Sequence, residues 1–103
     1  MSYIYVYHTK SNIHGIGVFI NDDVEKGQTL GVSHASYNGI WYMTTHGYYN
    51  HSKNPNCRIE DYNNLKIIIA DRDIKKGEEL TADYTKQSDL EQPEKDWKWK
   101  LLL

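Results

Sequence analysis

The chain is built from short apolar runs cut by turn residues, and few of the runs exceed six residues. Tyr3 to His8 is dense in Tyr, Ile and Val with partial alternation, which predicts a strand. Gly17 to Ile20 predicts a short second strand, and Thr29 to Ser33 a third. Leu65 to Asp71 is the clearest strand of all, apolar and β-branched behind Asn63-Asn64. Two turns repeat one pattern: Asp23-Val24-Glu25-Lys26-Gly27 and Asp73-Ile74-Lys75-Lys76-Gly77. In both, Gly supplies a positive φ before the next strand. Lys10 to Gly15 is a turn-rich link, and Asn50 to Asn56 has loop chemistry throughout. The stretch 34–47 is polar and aromatic without a clean period, and no element is predicted for it. From Ser88 the character changes. Asp89 is a candidate cap for a short helix starting near Pro93, with Trp97 and Leu101 four apart on one face. The expected organisation is one core over residues 1–87, many short strands with little helix, and a tail over 88–103.

Composition narrows the class of function. With 103 residues there is room for one domain, burying roughly 60–65% of its unfolded surface. Nine Tyr and three Trp stand against one Phe, a balance that suits half-buried walls and wet clefts. A net charge of −2 argues against nucleic acid as partner and is compatible with a basic peptide. Cys57 is the sole cysteine, which rules out an internal disulfide and a cysteine-rich zinc site. With no apolar signal region and no membrane-length stretch, the expectation is a cytoplasmic protein, neither secreted nor membrane-bound. Asn50-His51-Ser52 formally matches a glycosylation acceptor, accidental in such a setting.

Three segments carry candidate chemistry. Gly15-Ile16-Gly17 lets backbone approach a ligand closely, because two Cβ atoms are missing. A dinucleotide fingerprint would add a third Gly and a helix; here Val18-Phe19-Ile20 follows, so that reading fails. Asn50-His51-Ser52 offers an amide donor and acceptor beside an imidazole, and the other four His show no zinc spacing around it. Gly77-Glu78-Glu79-Leu80-Thr81-Ala82-Asp83-Tyr84 leaves the second turn and ends on a tyrosine.

In this order, and with Pro55-Asn56 behind the second and Ile67-Ile68-Ile69-Ala70 before the third, these segments resemble the SET domain of protein lysine methyltransferases. The resemblance runs from about Ser11 to Thr85. It implies a mainly β, SET-type (β-clip-like) fold of small curved sheets with knot-like threading and a short C-terminal helix or tail. It implies transfer of methyl from S-adenosylmethionine to a protein lysine, leaving S-adenosylhomocysteine. Carried over residue by residue, His14, Gly15, Ile16 and Gly17 lie along the cofactor. Asn50 holds its amino-acid end, and His51 meets the adenine chiefly by main chain. Trp97 is the candidate to lie on the adenine from the tail.

Tyr84 matches the catalytic tyrosine. Methyl transfer to an amine needs alignment and a deprotonated nitrogen, and a hydroxyl can orient that nitrogen as an acceptor. A narrow apolar channel favours the neutral amine. Ala82 stands where some members have a Phe or Tyr narrowing that channel, and Tyr48 is a candidate to fill the gap. Two further departures mark the chain: Lys53 lies where zinc-dependent members carry a Cys, and Gly47 stands where many have an Arg. The partner implied is a lysine-containing protein or peptide, without nucleic acid, membrane or metal. The short insert between Ser33 and Gly47 suggests a homodimer completing the groove, and the lack of zinc modules suggests a microbial or viral member. The rival readings are a SET-like module that binds without methylating, and a structural β domain with accidental motifs.

Overall fold

In the computed structural model, residues 5–87 and 89 are described. They form eight strands: β1 Val6–Lys10, β2 Ile16–Ile20, β3 Thr29–Tyr37, β4 Ile40–Met43, β5 Asn50–His51, β6 Cys57–Tyr62, β7 Leu65–Ala70 and β8 Thr81–Ala82. Single 3₁₀ turns cover Thr45–Tyr48 and Tyr84–Lys86. The strands make an antiparallel β1-β2 ribbon, a four-stranded sheet in the order β4-β3-β7-β6, and a small parallel pair, β5-β8. This is the mainly β architecture of small sheets that the strand pattern predicts. Apolar side chains from all three sheets meet in one core: Val18, Ile20, Val24, Leu30, Tyr49, Cys57, Ile68, Ala70, Ile74, Leu80 and Ala82.

The two repeated turns pack against each other. Val24 and Ile74 form an antiparallel bridge, each N–H donating to the other's carbonyl at 2.8 and 2.9 Å. Around it nearly every bond has a twin fifty residues away (24 and 74, 27 and 77). Gly27 N–H donates to the Ala70 carbonyl at 2.7 Å, and Gly77 N–H to the Ile20 carbonyl at 2.9 Å. Ala70 N–H donates to Gln28, and Ile20 N–H to Glu78, at 2.9 and 3.0 Å. The acids cross over: Asp73 Oδ1 accepts from Lys26 N–H and Asp23 Oδ1 from Lys76 N–H, both at 2.8 Å. Gly27 and Gly77 sit at φ +90° and +91°, the left-handed side that glycine reaches without a Cβ penalty. The two copies thus make a clasp of approximate two-fold symmetry, with Val24 and Ile74 buried at its centre.

Several expectations shift. The first strand is Val6–Lys10; Tyr3 lies outside the described residues. The stretch 34–47, for which no element is expected, extends β3 to Tyr37 and returns as β4. Asn38-Gly39 turns that hairpin, both with positive φ, and this dipeptide is itself a strong hairpin signal. Residues 50–56 are not wholly loop, since Asn50 and His51 pair with Thr81 and Ala82. Cys57–Tyr62 forms a strand that the charges at 58, 60 and 61 conceal; it closes on β7 through Asn63, at φ +55°. The helix near Pro93, Trp97 and the 88–103 tail lie outside the described residues, apart from Asp89.

Candidate active site

The segment 79–84 is fastened residue by residue. Asn56, in the loop after β5, uses its side-chain amide on both sides: Nδ2 donates to the Glu79 carbonyl at 2.8 Å and Oδ1 accepts from Thr81 N–H at 2.9 Å. The parallel pairing of β5 with β8 then sets Asn50 beside Thr81 and His51 beside Ala82. One step on, Tyr84 N–H donates to His51 Nδ1 at 3.0 Å. Asp83 caps the following 3₁₀ turn, accepting from Thr85 N–H at 3.0 Å and from its hydroxyl at 2.6 Å. Those bonds from Thr85, the hydroxyl's first, hold the Asp83 carboxyl below its ordinary range against the opposing pull of desolvation.

Tyr84 is therefore oriented from three directions. Its hydroxyl donates a short bond to the Tyr49 carbonyl. The rings of Tyr49 and His51 stand edge-on to it, at centroid distances of 5.4 and 5.3 Å. Burial, with Tyr49 and Glu79 adding to it, pushes the Tyr84 phenol up from its ordinary value. Burial also raises Tyr49, to about 12. Tyr84 is thus a neutral phenol at neutral pH, and with its proton directed at a carbonyl its oxygen can accept from an incoming N–H.

On the other side of β5 lies a second network. Asn50 is buried, and its Nδ2 reaches the His14 carbonyl at 3.0 Å, Ser11 Oγ at 3.0 Å and Glu79 Oε2 at 2.6 Å. Ser11 Oγ donates to Glu79 Oε1 at 2.6 Å and accepts from Ile13 N–H at 2.8 Å. The link between β1 and β2 is thereby tied to β5 and to the turn before β8. Gly17 is backed against this network: a Cβ there would lie 2.3 Å from Glu79 Oε2. Gly15, at φ +50°, faces open space.

The candidate residues separate accordingly. Asn50, His14, Gly17 and Glu79 meet in one network, and His51, Ala82 and Tyr84 in the adjoining one. Ile16, 57% exposed, opens β2. Ala82 is buried in the core. Tyr48 is 53% exposed with its ring edge-on to His8; the ring that meets Tyr84 is Tyr49. Gly47 is buried, where a Cβ would strike Met43 Cγ at 2.3 Å, so no longer side chain fits there as the chain stands. Glu79 and Tyr49 escaped the sequence reading because one looks like turn charge and the other like a core ring. The bonds that give them roles are to residues 29 to 68 positions away.

Two features suit a polar cofactor with a nucleoside and an amino-acid end. His14 Nε2 is buried with no hydrogen-bond partner among the described residues. The open face of Gly15 leaves backbone approachable beside it.

Comparison with known proteins agrees with this fold. Residues 32–85, just over half the chain, match the SET domain family. Over 54 residues the chain is 39% identical to the potential protein lysine methyltransferase SET6 of Saccharomyces cerevisiae, covering 52% of this chain and 14% of that protein's length. A candidate histone methyltransferase of Plasmodium falciparum superimposes with a TM-score of 0.69 at 23% identity, over 82% of this chain and 95% of that one. The Polycomb Repressive Complex 2 of Chaetomium thermophilum, in a humanised form bound to the inhibitor GSK126, gives 0.67 at 22% identity, over 81% of this chain and 15% of its own. The same complex bound to S-adenosylmethionine gives 0.65 at 21% identity over like shares. With sequence, fold and the order of its motifs in agreement, the chain belongs to the SET domain family.

Proposed function

We propose that the chain is a protein-lysine N-methyltransferase that uses S-adenosylmethionine. The observation that carries this is the placement of Tyr84. It sits one residue beyond the parallel β5-β8 pair, with its N–H on His51, its hydroxyl on the Tyr49 carbonyl and the Asn50 network adjoining. Bound at Asn50, His51 and the His14-Gly15 backbone, the cofactor supplies an electrophilic methyl on a sulfonium. The protein's own part is to hold the amine in line. The Tyr84 oxygen accepts an N–H of the incoming amine, so the nitrogen's lone pair is directed forward. Burial keeps the phenol protonated, so it orients and does not act as a base. The buried surroundings of Tyr84 and Tyr49 also favour an uncharged amine.

Similarity to a potential lysine methyltransferase favours the enzyme over a non-catalytic module. Within this reading the substrate is a lysine-bearing protein met in the cytoplasm, and a second copy of the chain completes the substrate groove. Among the described residues no helix is long and apolar enough to cross a membrane. The test is transfer of labelled methyl from S-adenosylmethionine into histones and a mixed lysate by wild type and Tyr84→Phe. The expected result is label on lysine, reduced about 10²-fold or more in the variant while binding of S-adenosylhomocysteine holds. Equal labelling by both proteins would remove Tyr84 from the chemistry.

A further inference from the structure

Lys66 stands out of pattern in the most apolar strand. In β7, positions 66, 68 and 70 share one face, and all three are buried. An apolar residue at 66 would lose no hydration, yet the lysine there is 0% exposed.

Its ammonium is fully answered. Nζ donates to Asp61 Oδ1 at 2.7 Å, to Gln87 Oε1 at 2.6 Å and to Asp89 Oδ1 at 3.0 Å. It also stands 4.6 Å from the centre of the Trp41 ring. Three N–H donors thus meet three acceptors. Such a buried charge adds little stability over an apolar side chain of similar volume, because desolvation offsets the attraction. What it does add is a single arrangement, since the acceptors must reach a point sunk in the sheet or leave the charge buried alone.

Two of those acceptors lie just beyond the turn that carries Tyr84. Gln87 is the link. Its backbone N–H donates to the Tyr84 carbonyl at 3.0 Å and closes the 3₁₀ turn. Its side chain takes Lys66 on one atom and donates to the Ile59 carbonyl at 3.3 Å with the other. Asn56 and His51 fasten the approach to Tyr84 from upstream, and Lys66 fastens the chain downstream of it.

We infer that Lys66 is a positioning residue for methyl transfer: through Gln87 and Asp89 it docks the segment after Tyr84 on the four-stranded sheet, and so holds the phenol oxygen where the incoming amine meets it. This role rests on the methyltransferase reading above, and Lys66 acts only through the turn.

The test compares wild type with Lys66→Met and Gln87→Ala. The first keeps an apolar stem in place, and Asp61 and Asp89, with side chains 59% and 44% exposed, can return to water. The second leaves Lys66 its two carboxylates and cuts the link to the turn, so it decides the matter alone where Lys66→Met does not fold. In both variants exchange of the Tyr84 amide, bonded to His51, is expected to quicken about tenfold or more while the Val24 and Ile74 amides of the clasp hold. Labelled methyl transfer into the lysate protein that wild type labels most strongly, at saturating S-adenosylmethionine, is expected to fall about tenfold or more. Affinity for S-adenosylhomocysteine should stay within about twofold. Wild-type exchange and wild-type rates in the variants overturn the inference and leave the methyltransferase reading standing. Exchange that quickens equally at 24, 74 and 84 overturns it as well, because Lys66 then serves overall stability only. Wild type that neither binds S-adenosylhomocysteine nor transfers methyl overturns the methyltransferase reading, and the catalytic role of Lys66 with it.

Discussion

Residues 20–28 and 70–78 fold alike and lead to different ends. Each passes from a strand through an acid, a buried β-branched residue and a left-handed glycine, and each lends the other the bonds it needs. The likeness persists two residues further: Thr29 pairs with Ile69 as Glu79 pairs with Phe19, and Leu30 and Leu80 are both buried. Then they part. Thr29 and Leu30 open a nine-residue strand joined to β7 and β4. After Leu80 only two residues pair, in parallel with Asn50-His51, before Asp83 starts a 3₁₀ turn that carries Tyr84. The scaffold is thus one device used twice, and the candidate catalytic tyrosine follows the copy that is interrupted early. An interrupted strand leaves side chains of successive residues free to face a ligand instead of another strand.

The comparison breaks most readily at its centre. Ile74→Ala removes a fully buried side chain from the clasp and is expected to cost about 2–5 kcal/mol of stability. Val24→Ala, across the same bridge, should cost about 1 kcal/mol less because it loses less volume. Urea unfolding of both variants checks this; a cost under about 1 kcal/mol for Ile74→Ala would mean the two copies do not depend on each other.

Next in size is an alkaline transition carried by the two buried phenols. The Tyr49 phenol is raised by burial from an ordinary value near 10 to about 12, and Tyr84 is raised too. Folding therefore favours the protonated phenols. That stability is complete below about pH 10, where the unfolded chain is protonated as well, and is lost as pH climbs through the folded value near 12. For Tyr49 alone the loss is about 2–3 kcal/mol. At the acid end, His34 is lowered by burial and by the nearby Lys66 charge, so its contribution is present above about pH 6.5 and declines as pH falls. Denaturant midpoints from pH 5 to 12 check both limbs.

The smallest effect separates the two copies most clearly. Gly27→Ala and Gly77→Ala each force a Cβ onto the left-handed side in open space, at about 1–2 kcal/mol each and equally for both. Only Gly77→Ala, two residues before Glu79, is expected to weaken binding of S-adenosylhomocysteine as well. Matching losses of binding from both variants would show that the clasp, not the interrupted strand, governs the site.

Much of this was visible in the chain itself. The repeated turns, β2, β7 and the three motif segments are local matters: glycine where φ is positive, β-branched residues where a strand is buried, Asn-His-Ser and Asp-Tyr in their order. The β3-β4 hairpin had its local signal in Asn38-Gly39, lost among aromatic residues with no clean period. Strand β6 had less, because Arg58, Glu60 and Asp61 mask its alternation; they are tolerated at the edge of the four-stranded sheet, where side chains reach water.

What the sequence determined by itself is the conformation of the repeated turns and of β2 and β7, and the family that the motif segments compose. Tertiary structure alone decided that the two turns clasp each other, that Asn50-His51 lies parallel to Thr81-Ala82, and that Tyr49 receives the Tyr84 hydroxyl. It also decided that an acid which looks like turn charge ends up against Gly17, Ser11 and Asn50. The reason is physical: propensity acts over a few neighbouring residues, whereas each of these contacts joins positions 29 or more apart and exists only once a shared core holds them.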